Sequence, residues 1–208
     1  MPKIVSADEA ARVIPDDAVV AVNSSSGLNC PDAVLKALGE RFDREQHPRG
    51  LTMLHPIAAG DMFGIRGVDH IAKPGLMARI IGGSYPSGPS TSEPPRIWQM
   101  LGNNEVAAYN VPSGIMFDLM REAAAKRPGV ITKVGLDTFV DPDQEGCAMN
   151  GAAAAAPIVR KIEFDGEDWL YFPSIVPHVA IIRGSVCDER GNLSFGQEGA
   201  YLGAMELA

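Results

Sequence analysis

The stretch 105–142, EVAAYNVPSGIMFDLMREAAAKRPGVITKVGLDTFVDP, decides the fold. Val106, Ala107, Ala108 and Tyr109 form an apolar run of strand length. The run breaks at Asn110 and Pro112, because proline pushes the residue before it out of helical geometry. From Ser113 onward Ile115, Met116, Leu119, Met120 and Ala123 recur at three- and four-residue intervals, with Asp118, Arg121, Glu122 and Lys126 between them. That spacing predicts an amphipathic helix with one buried face. Pro128 and Gly129 stop it, and the chain beyond reads as a loop with Gly135, Thr138 and Asp141. A strand, a small-residue turn and a helix make the unit of an α/β fold. The turn holding Asn110, Ser113 and Gly114 falls where such sheets place their ligands.

The same grammar repeats upstream. Ser6 and Glu9 form a capping box for a short helix over 7–13. A strand over 19–22 runs into Asn23, Ser24, Ser25, Ser26 and Gly27, and Pro31 and Asp32 open the next helix. A third strand, 51–55, leads to the loop 58–64 with Ala59, Gly60 and Asp61. A fourth, 78–81, leads to Gly82, Gly83, Ser84 and Tyr85 and a Pro/Ser/Gly-rich run to Pro95. Four strands leaving through loops rich in Gly, Ser or Asn predict one sheet edge lined with backbone donors. Downstream, 151–157 reads as a loop or frayed helix, and 161–164 and 169–172 as a β-hairpin about Asp165-Gly166. A buried strand follows over 179–182, then a turn at 191–194, and a helical ending over 199–208. No linker or clean repeat divides 1–208, so a single domain is expected.

With 46% hydrophobic and 21% charged residues the composition is that of an ordinary globular protein. The net charge of −8, without a Lys/Arg cluster, argues against nucleic-acid binding. No apolar run reaches membrane-spanning length and the opening residues carry acids, so a cytoplasmic protein without a membrane partner is expected. Cys30, Cys147 and Cys187 are far apart and without CxxC spacing, as reduced thiols would be.

The chemistry-bearing residues are sparse. His47, His55, His70 and His178 have no metal-ligand spacing, so no metal is expected. G-x-S-x-G, the P-loop and G-x-G-x-x-G are all absent. Asp61 and Asp141 suit turn-capping more than catalysis. Arg66, Arg79 and Arg96 are only candidate local charges for an anionic ligand. The residues alone describe a ligand-binding α/β sheet edge without a nucleophile.

Four collinear pieces carry a resemblance: GDMFGIRGVDHIAKPGLMARIIGGSY (60–85), AYNVPSG (108–114), RPGVITKVGLDTFVDP (127–142) and VAIIRGSVCDERGNLS (179–194). Together they resemble the amino-terminal, alpha half of family I coenzyme A transferases, of the propionate and short-chain acyl-CoA:acetate type. The resemblance implies a three-layer α/β domain with an open, mostly parallel sheet and a small β-hairpin insertion. It also implies a ping-pong exchange, in which a glutamate attacks the acyl-CoA thioester and carries CoA as a glutamyl thioester until a carboxylate collects it. That glutamate belongs to the carboxyl-terminal half, so no catalytic nucleophile is assigned here. The implied partners are a complementary beta half or subunit, acyl-CoA and a carboxylic acid, within an oligomer, with coenzyme A as substrate and no permanent cofactor.

The resemblance implies that the amino half contributes acyl-pocket loops at Asn23, Ser24, Ser25, Ser26 and Gly27; at Ala59, Gly60 and Asp61; at Gly82, Gly83, Ser84 and Tyr85; and at Asn110, Ser113 and Gly114. Two of these depart from the family pattern. Serines stand where a Gly-Gly-Phe or Gly-Phe-Gly type loop is usual, and Pro112-Ser113-Gly114 stands where Pro-Gln-Gly is usual. Losing a phenylalanine and a glutamine makes room, which implies a larger acyl group or a drift to thioester hydrolysis. A non-catalytic binding subunit is the third reading. The helix ending at Ala208 implies a split, cleaved or partly recorded chain.

Overall fold

The computed structural model describes residues 3–87 and 94–208, so part of the Pro/Ser/Gly-rich run to Pro95 lies outside the described residues. Five parallel strands form the central sheet in the order β4-β3-β2-β1-β8: β1 (Val19–Val22), β2 (Leu51–His55), β3 (Met77–Gly82), β4 (Ala107–Asn110) and β8 (Val179–Ile181). Both faces are covered, so the strands read as continuous apolar runs.

Alternation within those runs splits the interior in two. Val20, Val22, Met53, Ile80 and Ala108 point into one core, packed by α1 (Ala7–Arg12), α2 (Asp32–Glu45), a 3-10 turn (Gly67–His70) and α3 (Arg96–Gly102). Ala21, Leu54, Ile81 and Tyr109 point into the other, which takes Ile115, Met116, Leu119 and Met120 of α4 (Ser113–Ala124). The predicted helical face is therefore the buried one. The Ser6–Glu9 capping box is formed, with the Ser6 Oγ accepting from Glu9 N at 3.2 Å.

The expected hairpin insertion is a three-stranded antiparallel sheet in the order β5-β7-β6. Its members are β5 (Gly129–Thr132), β6 (Arg160–Phe164) and β7 (Glu167–Pro173). Val130, Leu170 and Phe172 turn its inner face onto the second core, completing three layers. The sequence reads 129–132 as part of a loop, whereas Val130 pairs with Phe172 across 42 residues. The expected loop or frayed helix at 151–157 contains a single helical turn, α5 (Gly151–Ala154). The turn expected at 191–194 contributes β10 (Leu193–Ser194), which pairs with β9 (Val186–Cys187). The helical ending is confined to α6 (Ala204–Leu207). No helix among the described residues is long and apolar enough to cross a membrane.

The outer edge of β4 is closed. Asn110 N donates to Cys147 O and Met149 N to Ala108 O, both at 2.9 Å, so the segment 147–149 runs along it like a strand. Asn150 locks that segment by donating to Leu101 O and Val106 O at 3.0 and 2.8 Å.

Candidate functional site

Because the five strands are parallel, every loop leaving a carboxyl end emerges on the same edge, and the four predicted loops meet there. The first two are laced by backbone. Ser26 N donates to Ala58 O and Gly60 N to Ser26 O, both at 2.9 Å. Ser26 sits at φ 60, and Gly60 at φ 100 lies so close to the 65–66 backbone that a β-carbon would stand 2.7 Å from Arg66 O. Asp61 behaves as the turn cap its surroundings predict: its Oδ1 accepts from Phe63 N at 2.8 Å and Ile65 N at 3.2 Å. The other carboxylate oxygen lies against Gly27, where a β-carbon would meet it at 2.0 Å.

The second and third loops join through Ser84, whose Oγ accepts from Ala58 N at 2.9 Å. Gly83 N donates to His55 O, and Val111 N donates to Gly82 O, each at 2.9 Å. A β-carbon on Gly83 would stand 2.2 Å from both Pro56 O and Ser113 Oγ, so three loops converge on a position that admits no side chain. Tyr85 is structural: its ring covers Gly82, and its hydroxyl donates to Tyr109 O at 2.8 Å. Burial raises the Tyr85 pKa beyond the ordinary tyrosine range.

The helix α4 opens at this edge. Pro112 precedes it, no side chain caps it, and Met116 N is the first amide to find a helical acceptor, Pro112 O at 3.1 Å. The amides of Ser113, Gly114 and Ile115 thus have no partner within the helix and supply the backbone donors predicted for the turn.

Asn23 and Ser24 are buried rather than lining open space. Asn23 Nδ2 donates to Leu202 O at 2.6 Å, and Ser24 Oγ donates to Ser26 O at 2.8 Å. Their work is to hold the loop and tie it to the end of the chain.

Sequence reasoning missed a second feature of this edge. The connections from β1 through β4 step in one direction and β8 returns on the other side of β1, so the strand order reverses between β1 and β8. A groove of about 710 Å³ opens at that point, lined in part by Cys30, Pro31, Val34, Lys36, Arg183 and Leu193. Such reversals are the usual ligand crevice of open parallel sheets. Asp32 is also among its lining residues, with its carboxylate accepting from Gly67 N at 2.7 Å and facing His70 Nε2 at 3.2 Å. Asn29, buried beneath the loop, donates to Arg183 O at 2.7 Å. The signal in the sequence was Arg183-Gly184 directly after the 179–182 strand.

The titratable groups here are quiet. Burial pushes the Cys30 thiol up to about 11 and the Cys147 thiol up to about 12, which keeps both protonated and poorly nucleophilic. His55, the last residue of β2, is 2% exposed, and neither ring nitrogen has a partner among the described residues. Burial lowers its pKa to about 4 and holds it neutral. The described residues contain no cluster of three or more His, Cys, Asp or Glu arranged to hold a metal. The edge offers backbone donors and hydroxyls, with no activated nucleophile of its own.

The family model described as Coenzyme A transferase matches residues 4–208. The chain is similar to acetate CoA-transferase YdiF of Escherichia coli K12, 34% identical over 206 residues, which is 99% of this chain and 37% of the relative. It is also similar to the caffeate CoA-transferase of Acetobacterium woodii, 39% identical over 208 residues, covering 100% and 38%. Among solved structures, the YdiF acyl-CoA transferase of E. coli O157:H7, a thioester complex with CoA, superposes with a TM-score of 0.86 at 32% identity, covering 98% of this chain and 38% of that one. The chain therefore spans less than two fifths of the length of these relatives.

Proposed function

The chain belongs to the coenzyme A transferase family, and from that we propose that it is the alpha half of an acyl-CoA:carboxylate CoA-transferase. The proposed reaction is ping-pong. A glutamate of the complementary half attacks the thioester carbonyl and forms an acyl-glutamyl anhydride with release of CoA thiolate. The thiolate returns to give glutamyl-CoA and free acid. The acceptor carboxylate then reverses these steps and leaves with CoA. A carboxylate nucleophile divides one difficult exchange into reversible steps of similar energy.

The observation that carries the alpha-half role is the uncapped start of α4 beside the laced loops at the sheet edge. Tetrahedral intermediates place negative charge on the former carbonyl oxygen, and fixed amide donors stabilise such charge without reorganising. The chain contributes these donors and the wall of the acyl pocket, while the nucleophile comes from outside residues 1–208. Coenzyme A enters as substrate, with no resident cofactor. Ser113 in place of the usual glutamine supports an acyl group larger than acetate or propionate.

The test is borohydride reduction of the complete protein after acyl-CoA is added without acceptor. A glutamyl-CoA thioester would be reduced to the alcohol at one glutamate, and peptide mass mapping would locate it. The expected site lies outside residues 1–208. Reduction within them, or none while acyl-CoA is consumed, would overturn the reading in favour of another chemistry such as hydrolysis.

A further inference from the structure

The β5-β7-β6 sheet breaks a rule of half-buried antiparallel sheets, which alternate an apolar inner face with a polar outer one. Its inner face rests on the second core through Val130, Leu170 and Phe172. Its outer face is also apolar: Ile131, Ile162, Phe164, Trp169 and Tyr171 share the opposite parity. Ile131 is 48% exposed and Phe164 58% exposed. Phe164 meets Trp169 edge-on, with ring centroids 6.2 Å apart at 86°. Lys133 lies over Trp169 at 4.9 Å and Arg160 over Tyr171 at 5.1 Å. These stems cover part of the ring surface but leave a continuous aromatic and aliphatic strip.

The strip is also electrically polar along its length. Arg160 stands at the base, opposite Tyr171, and Glu167 stands at the hairpin tip, opposite Phe164. Asp165, in the connecting turn, adds to the acidic tip, whereas Glu163 and Asp168 share the opposite parity. Base and tip are four residues apart along β6, about 13 Å at the rise of a strand. A surface with positive and negative ends is complementary to its own copy turned through a two-fold axis.

We propose that this outer face is where two copies of the chain meet, their β5-β7-β6 sheets stacked face to face with Arg160 of each over Glu167 of the other. The apolar strip supplies the buried area, and the opposed charges fix the antiparallel orientation. Lys133 pairs with Glu167 within one chain at 2.7 Å, but both groups are well exposed and remain open to a second partner.

Sedimentation velocity on the complete protein at micromolar concentration tests the contact, with circular dichroism confirming that each variant is folded. The unaltered protein should sediment as an even number of copies. Arg160→Glu should halve that mass by setting like charges against each other, and Phe164→Asp should halve it by charging the strip. Arg160→Glu combined with Glu167→Arg should restore the original mass, because the reversed pair is again complementary. A single copy in the unaltered protein, an unchanged mass in folded Arg160→Glu, or no recovery in the reversed pair would overturn the proposal. So would a charge variant that sheds a different polypeptide. These outcomes are read from mass and do not depend on the reaction catalysed.

Discussion

Gly83 faces the hydroxyl of Ser113 at a separation that leaves no room for a methyl group: a β-carbon at 83 would stand 2.2 Å from Ser113 Oγ and from the backbone oxygen of Pro56. The third loop and the start of α4 are thereby held in one position by contact alone. Gly83→Ala should cost about 1–3 kcal/mol, as overpacking of a tight site does, and should displace the α4 amides. Urea unfolding would read the first effect and kcat/KM for transfer the second. Unchanged values for both would mean that this contact relaxes freely.

Ser113 is the short residue in that contact, and lengthening it should narrow the pocket. Ser113→Gln should lower the preference for bulky over small acyl-CoA donors by about tenfold, the scale expected from a few methylene-sized contacts. The measurement is the ratio of kcat/KM for an aryl or branched donor to that for acetyl-CoA. An unaltered ratio would remove Ser113 from the acyl pocket.

His55 makes stability depend on pH. Its folded pKa is depressed by burial to about 4, while an unfolded histidine titrates near about 6.5. Above the unfolded value both states are neutral and the full stability is present. As the pH falls through this window the unfolded chain takes the proton first, and up to about 3 kcal/mol is lost by the folded pKa. His55→Leu should remove that slope and, by deleting two unpartnered ring nitrogens, should not destabilise the protein at neutral pH. Urea midpoints should therefore diverge as the pH drops from 7 to about 4.5. Parallel curves would exclude this account.

Asp61 holds its loop through two backbone amides, Phe63 N and Ile65 N. Asp61→Ala should cost about 1 kcal/mol and speed amide hydrogen exchange across 61–65 before it affects the sheet. Asp61→Asn, which keeps an acceptor, should restore most of the protection. Equal exchange in all three proteins would show that the loop is held by its glycines instead.

The parallel sheet was legible because each strand, loop and helix announces itself within a few residues: the periodicity from Ile115 to Met120 is a local property, and so is the proline at 112. What was not legible depends on distant partners. Gly129 to Thr132 becomes a strand only because Tyr171 and Phe172 lie beside it. The pairing of Val186 with Ser194 closes a turn whose sequence alone is merely polar. At the site, the convergence of four loops followed from strands leaving one edge. The β1/β8 groove did not, because strand order is invisible until β8 takes its place next to β1. Asn23 shows the same limit: its side-chain nitrogen donates to Leu202 O, 179 residues away, a partner that no local pattern names.

The strap over β4 makes the central sheet one-ended. With 147–149 occupying that side and no strand beside β8 among the described residues, the sheet has one open margin, three residues long. Unpaired strand margins are where folded chains template aggregation. The Asn150 anchor, by holding the strap in place, thus keeps the backbone donors and acceptors of β4 from becoming a second such margin.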